Sequence, residues 1–133
     1  MEILLDTQIA LWTLNDDSRL TDEAKEIILN PRHKIFYSIV SMWEVGIKHS
    51  DGKSMPISAT EFMHYCEASG FERLSLEDRH VCAYETLHRD ENACEHKDPF
   101  DKMLLAQAKA DGMLLITHDS KFAGWNEPYV RLV

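Results

Sequence analysis

Cysteine is scarce in this sequence, and long apolar runs are absent from it. The three cysteines, Cys66, Cys82 and Cys94, are odd in number and lack the spacing of a metal site. They predict reduced thiols and exclude a disulfide framework. No stretch approaches the roughly 20 consecutive apolar residues of a membrane-spanning helix, and the first residues lack the pattern of a signal peptide. We therefore expect a cytoplasmic protein.

Basic residues are also few. The 14 lysines and arginines stand against 23 aspartates and glutamates, which gives a formal net charge of −9. A sequence-independent nucleic-acid binder normally has a basic surface, because the phosphate backbone dominates its affinity. This balance alone points away from DNA and RNA. Two explanations remain open: bound metal ions neutralise some carboxylates, or a basic partner completes the surface.

What is present is the pattern of one α/β domain over residues 1–133. Apolar segments that read as buried strands alternate with segments of helical spacing, which predicts a mostly parallel, twisted sheet of four to five strands with helices on both faces. The predicted strands are 3–5, 35–40, 71–76, 113–117 and 129–133. The predicted helices are 7–14, 21–29, 41–48, 58–68, 77–88 and 99–111.

Two of these strands are followed almost directly by an acid. Asp6 follows the first strand and Asp119 follows the strand that ends at Thr117. In open α/β sheets the functional site lies beyond the carboxyl ends of the strands. The sequence therefore predicts that both carboxylates lie at the same edge of the sheet.

A third acid occupies a position where helical spacing predicts a buried apolar residue. Glu44 falls on the stripe formed by Val40, Trp43 and Ile47. Burying a lone carboxylate is very unfavourable unless something pairs with it. The alternative is a surface Glu44 in an i, i+4 ion pair with Lys48.

Asp98 and Asp101 open the helix that begins at Pro99. Asp98 has the features of an N-cap, and Asp101 adds an acid to the first turn. Capping alone explains both residues. The core stripe of Leu104 and Leu105 runs beside Asp101, however, so we predict that Asp101 belongs to the site and that Asp98 is mainly the cap.

Asp6, Glu44, Asp101 and Asp119 converge on one end of the predicted sheet, with Asp98 adjacent and still open as a metal ligand. Like charges brought together raise one another's pKa values. A hard divalent cation relieves this repulsion, because Mg²⁺ and Mn²⁺ favour carboxylate oxygens. Such a site can activate a water and clamp a phosphate.

Four segments together resemble the PIN-domain ribonucleases, and more narrowly the VapC-type toxins of bacterial type II toxin–antitoxin systems. The resemblance covers nearly the whole chain, and only the four segments in order make it specific. They are Leu4-Leu5-Asp6-Thr7, Ser41-Met42-Trp43-Glu44, His96-Lys97-Asp98-Pro99-Phe100-Asp101-Lys102-Met103-Leu104-Leu105-Ala106-Gln107-Ala108 and Leu115-Ile116-Thr117-His118-Asp119.

The resemblance implies a metal-dependent endoribonuclease that hydrolyses RNA phosphodiester bonds with Mg²⁺ or Mn²⁺. It also implies a homodimer that is held inactive by a cognate antitoxin protein. Matched by position, the implied catalytic and metal-binding residues are Asp6, Glu44, Asp101 and Asp119, and the implied supporting hydroxyls are Thr7 and Thr117. The sequence departs from the family pattern at His118, where many relatives carry a small or basic residue, and this change affects substrate contacts rather than the ligands.

Two rival functions are open at this point. A haloacid-dehalogenase-type phosphatase also places an aspartate after an apolar strand, but it needs a second acid two residues later, where this sequence has Gln8. A catalytically silent binding module is the other alternative. The full set of acids argues against it, because a silent protein has no need to keep the charge repulsion.

Other chemistry-bearing residues receive mainly structural interpretations. The histidines and cysteines between positions 80 and 96 fit no closed zinc site, so we expect surface histidines and buried thiols. The three tryptophans have core spacing and are expected in the core rather than stacked on bases. The best basic cluster for RNA phosphates comprises Lys48, His49 and Lys53.

Overall fold

Strands and helices alternate along most of the chain in the computed structural model, which describes residues 1–52 and 54–133. The strands are β1 (Glu2–Leu5), β2 (Lys34–Ser38), β3 (Glu72–Leu74), β4 (Leu114–Thr117) and β5 (Val130–Leu132). The α-helices are α1 (Thr7–Leu14), α2 (Asp22–Leu29), α3 (Ile39–Ser50), α4 (Ala59–Ala68), α5 (Asp78–Tyr84) and α6 (Pro99–Asp111). A 3₁₀-helix, Ser120–Trp125, lies between β4 and β5.

The described strands form one parallel sheet in the order β3-β2-β1-β4-β5. Its central strand is β1, in which Ile3 pairs with Ile35 of β2 on one side and with Leu114 of β4 on the other. The chain first builds the β2–β3 side and then returns past β1 to build the β4–β5 side. The predicted fold class is confirmed.

A hydrophobic core lies on each face of the sheet, because successive residues of a strand point to opposite faces. Ile3 and Leu5 pack into one core with residues of α1, α2 and α4. Leu4 packs into the other core with residues of α6. All three side chains are fully buried, and each stabilises the fold by roughly 1.5–3 kcal/mol. This two-sided burial explains why β1 reads as an unbroken apolar run.

The structure differs from several predicted boundaries, and a capping residue explains one of these differences. The strand predicted at 35–40 ends at Ser38, because the Ser38 hydroxyl accepts a hydrogen bond from the backbone N–H of Val40 and starts α3 two residues earlier than predicted. The helix predicted at 77–88 ends at Tyr84. The 3₁₀-helix was not predicted, since six residues show little periodicity.

None of the helices in the described part of the chain is long and apolar enough to span a membrane.

Candidate active site

The carboxyl end of β1 lies at the point where the chain switches from one side of the sheet to the other, which is the usual place for a site in this architecture. On one side of β1, α3 starts directly after β2. On the other side, α6 leads back into β4, so that its N-terminus lies at the same edge of the sheet. Residues distant in sequence therefore meet at this edge.

A cleft of about 330 Å³ opens there. All the acids predicted for the site contribute to its wall, as do Lys48 and His118. The lining residues are Asp6, Thr7, Gln8, Leu11, Trp12, Glu44, Lys48, Met55, Asp98, Asp101, His118 and Asp119.

Asp6 is, with Glu44, one of the two buried acids of the cleft. Its backbone N–H donates to the carbonyl oxygen of Ile116 at 3.1 Å, which continues the β1–β4 pairing by one residue. Its side chain is only 5% exposed, and its Oδ2 accepts a hydrogen bond of 2.7 Å from the Thr117 hydroxyl. Burial, together with the charges of Asp101 and Glu44, raises the pKa of Asp6 to about 7 despite that hydrogen bond.

Glu44 is buried and paired at the same time. Its Oε2 accepts a hydrogen bond of 3.0 Å from Lys48 Nζ, while its Oε1 is buried without a hydrogen-bond donor among the described residues. The predicted burial of Glu44 and the alternative's ion pair are both observed, whereas its surface position is wrong. The long Lys48 side chain reaches back into the cleft while remaining partly exposed.

The buried face of α3 is rotated from the predicted stripe. It consists of Val40, Ser41, Glu44 and Val45, and Trp43 is 60% exposed rather than part of the core. The Trp43 ring packs edge-on against Phe100, with ring centroids 5.1 Å apart. This contact connects α3 to the first turn of α6. Each of the two aromatic residues is followed directly by a site acid, Glu44 or Asp101.

Asp98 and Asp101 have different contacts. Asp98 Oδ1 accepts hydrogen bonds from the backbone N–H groups of Phe100 and Asp101, at 2.9 and 3.3 Å, so Asp98 is the N-cap of α6. Burial, followed by the charges of the neighbouring carboxylates, raises the pKa of Asp101 to about 7. Asp101 thus resembles Asp6 in its electrostatics.

Hydroxyl groups connect the elements that carry these acids. The Thr117 hydroxyl donates to Asp6 and accepts from the backbone N–H of Asp119 at 3.1 Å. The Thr7 hydroxyl donates to the Ser41 hydroxyl at 2.8 Å in a buried contact. Asp119 Oδ1 caps the 3₁₀-helix by accepting from the N–H of Lys121.

Sequence reasoning missed His96 as a site residue. Its Nε2 lies 2.8 Å from Asp101 Oδ2 and 3.9 Å from Asp119 Oδ2, and its Nδ1 accepts a hydrogen bond of 3.1 Å from Trp125 Nε1. Burial lowers the pKa of His96 against the raising effect of Asp119. The available signal was its place five residues before Asp101, beside the predicted cap.

The expectation of surface histidines and buried thiols is wrong in several places. His80 is fully buried, and both of its ring nitrogens have partners: Nδ1 accepts from the backbone N–H of Glu77 and Nε2 contacts Asp111 Oδ2 at 3.0 Å. His96 is buried in the acidic site, and only His88 of this series is exposed. Of the three free thiols, only that of Cys66 is buried; Cys82 and Cys94 are exposed.

The candidate RNA-binding residues separate in the structure. Lys48 and His118 line the cleft, whereas His49 uses its Nδ1 to contact the carbonyl oxygen of Met55 at 2.9 Å. Lys53 lies outside the described residues. His118 is exposed and packs edge-on against Trp12, with ring centroids 5.5 Å apart.

Three solved structures that share this fold come from bacterial complexes. VapBC2 from Rickettsia felis bound to a promoter DNA fragment is 17% identical, with a TM-score of 0.65 over 100% of this chain and 98% of that chain. DNA-bound VapBC from Salmonella typhimurium is 17% identical, with a TM-score of 0.67 over 100% and 97%. VapBC-1 from nontypeable Haemophilus influenzae is 18% identical, with a TM-score of 0.67 over 99% and 98%.

At these identities the structural likeness shows the fold alone. Among curated proteins, none has a matching sequence. The model of the PIN domain family matches residues 3–125, which include every predicted site acid. This match is incompatible with the haloacid-dehalogenase alternative. The chain belongs to the PIN domain family.

Proposed function

We propose that this chain is a Mg²⁺- or Mn²⁺-dependent endoribonuclease, which hydrolyses RNA phosphodiester bonds and acts as the toxin of a type II toxin–antitoxin pair. The observation that supports it best is the set of carboxylates in one cleft, Asp6, Glu44, Asp98, Asp101 and Asp119. Membership of the PIN domain family supports a nuclease. We also propose that residues 1–133 form a single PIN domain.

The donor set of the cleft fits a hard divalent cation. It is dominated by carboxylate oxygens, which Mg²⁺ and Mn²⁺ prefer. Glu44 Oε1 is buried without a hydrogen-bond donor among the described residues, and such a group is costly unless something binds it. We propose Asp6, Glu44, Asp101 and Asp119 as the ligands, with Asp98 as the N-cap beside them.

The raised pKa values of Asp6 and Asp101 support the same conclusion. Without a cation, burial and mutual repulsion hold both carboxyl groups partly protonated near neutral pH. A bound cation favours their charged forms and thereby stabilises the site. When bound, it supplies an activated water and stabilises negative charge on the phosphate.

The side chains around the acids have positioning roles in this proposal. Thr117 fixes one oxygen of Asp6, and Lys48 fixes one oxygen of Glu44. Thr7 binds Ser41 and so links the start of α1 to α3. Among the described residues, Lys48 is the only lysine or arginine that forms an ion pair with a site acid.

RNA contacts are proposed at Lys48 and His118, which line the cleft, at His49, and at Lys53, which lies outside the described residues. The net charge of −9 is then compatible with RNA binding, because the acids concentrated in the cleft are those that a cation would neutralise. This favours the first of the two explanations left open by the composition.

The partners and location are proposed from the family and from the solved neighbours. Those neighbours are VapBC complexes, two of them bound to DNA. We propose that this chain likewise binds a cognate antitoxin protein, forms a homodimer and acts in the cytoplasm. Size-exclusion chromatography with light scattering, with and without the protein encoded beside the gene, tests the first two statements.

The test of the activity is cleavage of single-stranded RNA by purified protein, with Mg²⁺ or Mn²⁺ and with EDTA. We expect cleavage only with the cation, and we expect Glu44→Gln to fold but to be inactive, because Gln keeps the side-chain shape and removes the charge. Expression of the wild type should arrest growth and expression of Glu44→Gln should not. Asp16 is an exposed acid that does not line the cleft. The Asp16→Asn variant is therefore the control and should retain activity.

Cleavage that continues unchanged in EDTA would refute the metal dependence. A folded wild type that binds Mg²⁺ but cleaves no RNA would support the silent binding module instead. Full toxicity of a folded Glu44→Gln variant would show that Glu44 is structural.

A further inference from the structure

The side chains of Trp125, His96 and Asp101 form a hydrogen-bonded chain that is largely buried and ends at a site acid. Trp125 Nε1 donates to His96 Nδ1 at 3.1 Å, and His96 Nε2 lies 2.8 Å from Asp101 Oδ2. Trp125 is 6% exposed and His96 is 7% exposed. Nothing in the proposed function assigns a role to either residue.

The indole N–H of Trp125 can only donate a hydrogen bond, so the His96 nitrogen that faces it must be an acceptor. An imidazole whose Nδ1 is an acceptor is neutral and carries its proton on Nε2. That proton then points at Asp101. The hydrogen-bond pattern therefore selects one tautomer of His96 and one direction of donation.

One aromatic and one cationic side chain pack against this hydrogen-bonded chain. The His96 ring packs edge-on against Phe122, with ring centroids 4.8 Å apart. The Arg89 guanidinium lies 4.9 Å from the centroid of the Trp125 ring and also donates to the carbonyl oxygens of Cys94 and Lys121. Arg89 thereby fastens the loop that carries His96 to the 3₁₀-helix that carries Trp125.

His96 also lies where a ligand would lie. Its ring nitrogen and one oxygen each from Asp101 and Asp119 are within 4.8 Å of one another. To bind a cation, however, Nε2 must lose its proton, and the proton would move to Nδ1. Two donors, Nδ1–H and the Trp125 N–H, would then face each other in a buried place, which is unfavourable.

We propose that Trp125 fixes His96 as the Nε2–H tautomer, so that His96 is a positioning residue that orients Asp101 and is withheld from the cation itself. The imidazole N–H then donates to Asp101 Oδ2 and holds this carboxylate in one orientation in the wall of the cleft. The site keeps an all-oxygen donor set, which suits Mg²⁺ and Mn²⁺ better than metals that prefer imidazole. This inference rests on the proposed metal site.

The tautomer is read directly by ¹⁵N NMR of the histidine side chains in the full-length protein. We expect the wild type to show His96 as the Nε2–H tautomer without metal and to keep that proton when saturated with Mg²⁺. Trp125→Phe keeps a ring and removes the N–H, so it should give a mixture of tautomers. Trp12→Phe is the matched control, because the buried Trp12 N–H has no acceptor among the described residues, and it should leave His96 unchanged.

Mg²⁺ affinity, measured by calorimetry, supplies the second arm. Removing a side chain that orients a ligand typically costs 10–100-fold in metal affinity, and we expect His96→Asn, whose amide is too short to reach Asp101, to lose about tenfold or more. His96→Gln places an amide N–H near the position of Nε2 and should stay within about threefold of the wild type. These two variants decide the positioning role even when Trp125→Phe does not fold, as judged by circular dichroism.

A wild-type His96 that is Nδ1–H, or that loses its Nε2 proton on Mg²⁺ binding, overturns the proposal, because His96 would then be free to act as a ligand. An unchanged tautomer in folded Trp125→Phe, or equal losses of affinity in His96→Gln and His96→Asn, also overturns it. Failure of the proposed function looks different: the wild type then binds no Mg²⁺, or binds it without cleaving RNA, while the tautomer measured without metal is unaffected.

Discussion

Asp6→Asn should change the stability of the metal-free protein in opposite directions at high and low pH. Asp6 is 5% exposed, and its pKa is raised from 3.8 to about 7. A difference of this size corresponds to about 4 kcal/mol at pH 8, where the folded protein must hold a buried charge that the unfolded chain leaves in water. Folded Asp6 binds its proton more tightly than the unfolded chain does, so this contribution to the free energy of unfolding is lost as the pH rises from 3.8 to about 7.

Asparagine removes this charge and keeps an oxygen that can accept from Thr117. It also introduces an N–H without an obvious acceptor, which costs about 1–3 kcal/mol. At pH 8 in EDTA we therefore expect Asp6→Asn to be more stable than the wild type by about 1–3 kcal/mol. At pH 4 the wild-type carboxyl is largely neutral, and the variant should be the less stable protein.

Urea denaturation in EDTA at pH 4, 6 and 8, followed by tryptophan fluorescence, measures the two free energies of unfolding. Asp16→Asn changes an exposed aspartate and should shift the free energy of unfolding by less than about 0.5 kcal/mol at each pH. Saturating Mg²⁺ should stabilise the wild type by about 2.7 kcal/mol at 100 times the dissociation constant and should stabilise Asp6→Asn less. The reasoning is refuted if Asp6→Asn is destabilised by the same amount at pH 4 and pH 8.

Two further predictions concern the start of α6 and the contact between the 3₁₀-helix and the loop before α6. Asp98→Asn should fold and keep most of its cleavage rate, because Asn caps about as well as Asp. Asp101→Asn should fold and lose cleavage by several orders of magnitude. Single-turnover assays of both variants measure this difference, and the reverse pattern would exchange the two roles. Gly124→Ala should be destabilised by about 1–3 kcal/mol in urea denaturation, because the added Cβ would collide with the Arg89 guanidinium and lie 2.7 Å from Ala93 Cβ. Wild-type stability of Gly124→Ala would show that the loop moves freely.

The sheet and most of the acids could be predicted because their signals are local. An apolar run that ends in Asp6 is a strand that ends in an acid, whatever lies elsewhere in the chain. The cap at Asp98 and the helix after it also follow from neighbouring residues, and the structure has both where they were predicted. Parallel pairing then brings the ends of the strands to one edge without further information.

The parts that were missed depend on contacts between distant residues. His96 and Trp125 are 29 residues apart, in a loop and a 3₁₀-helix that have no periodic pattern. Trp43 looked like core because a helical stripe through Val40 and Ile47 passes through it. In the structure Ser41 and Val45 face inward instead, because α3 packs against α4 and α6.

The hydrogen bond between Thr117 and Asp6 joins residues that are 111 positions apart. During synthesis, β1 and β2 are available to pair long before β4 exists, so the central strand initially has an open edge on the side of the future site. Contacts of such separation form late and slow the folding of a domain, and an unpaired edge is prone to pairing with other chains. A ribosome must therefore release the chain through Thr117 before the acidic cleft can close around Asp6. For a protein proposed to cut RNA, this order of assembly delays activity until β4 has left the ribosome.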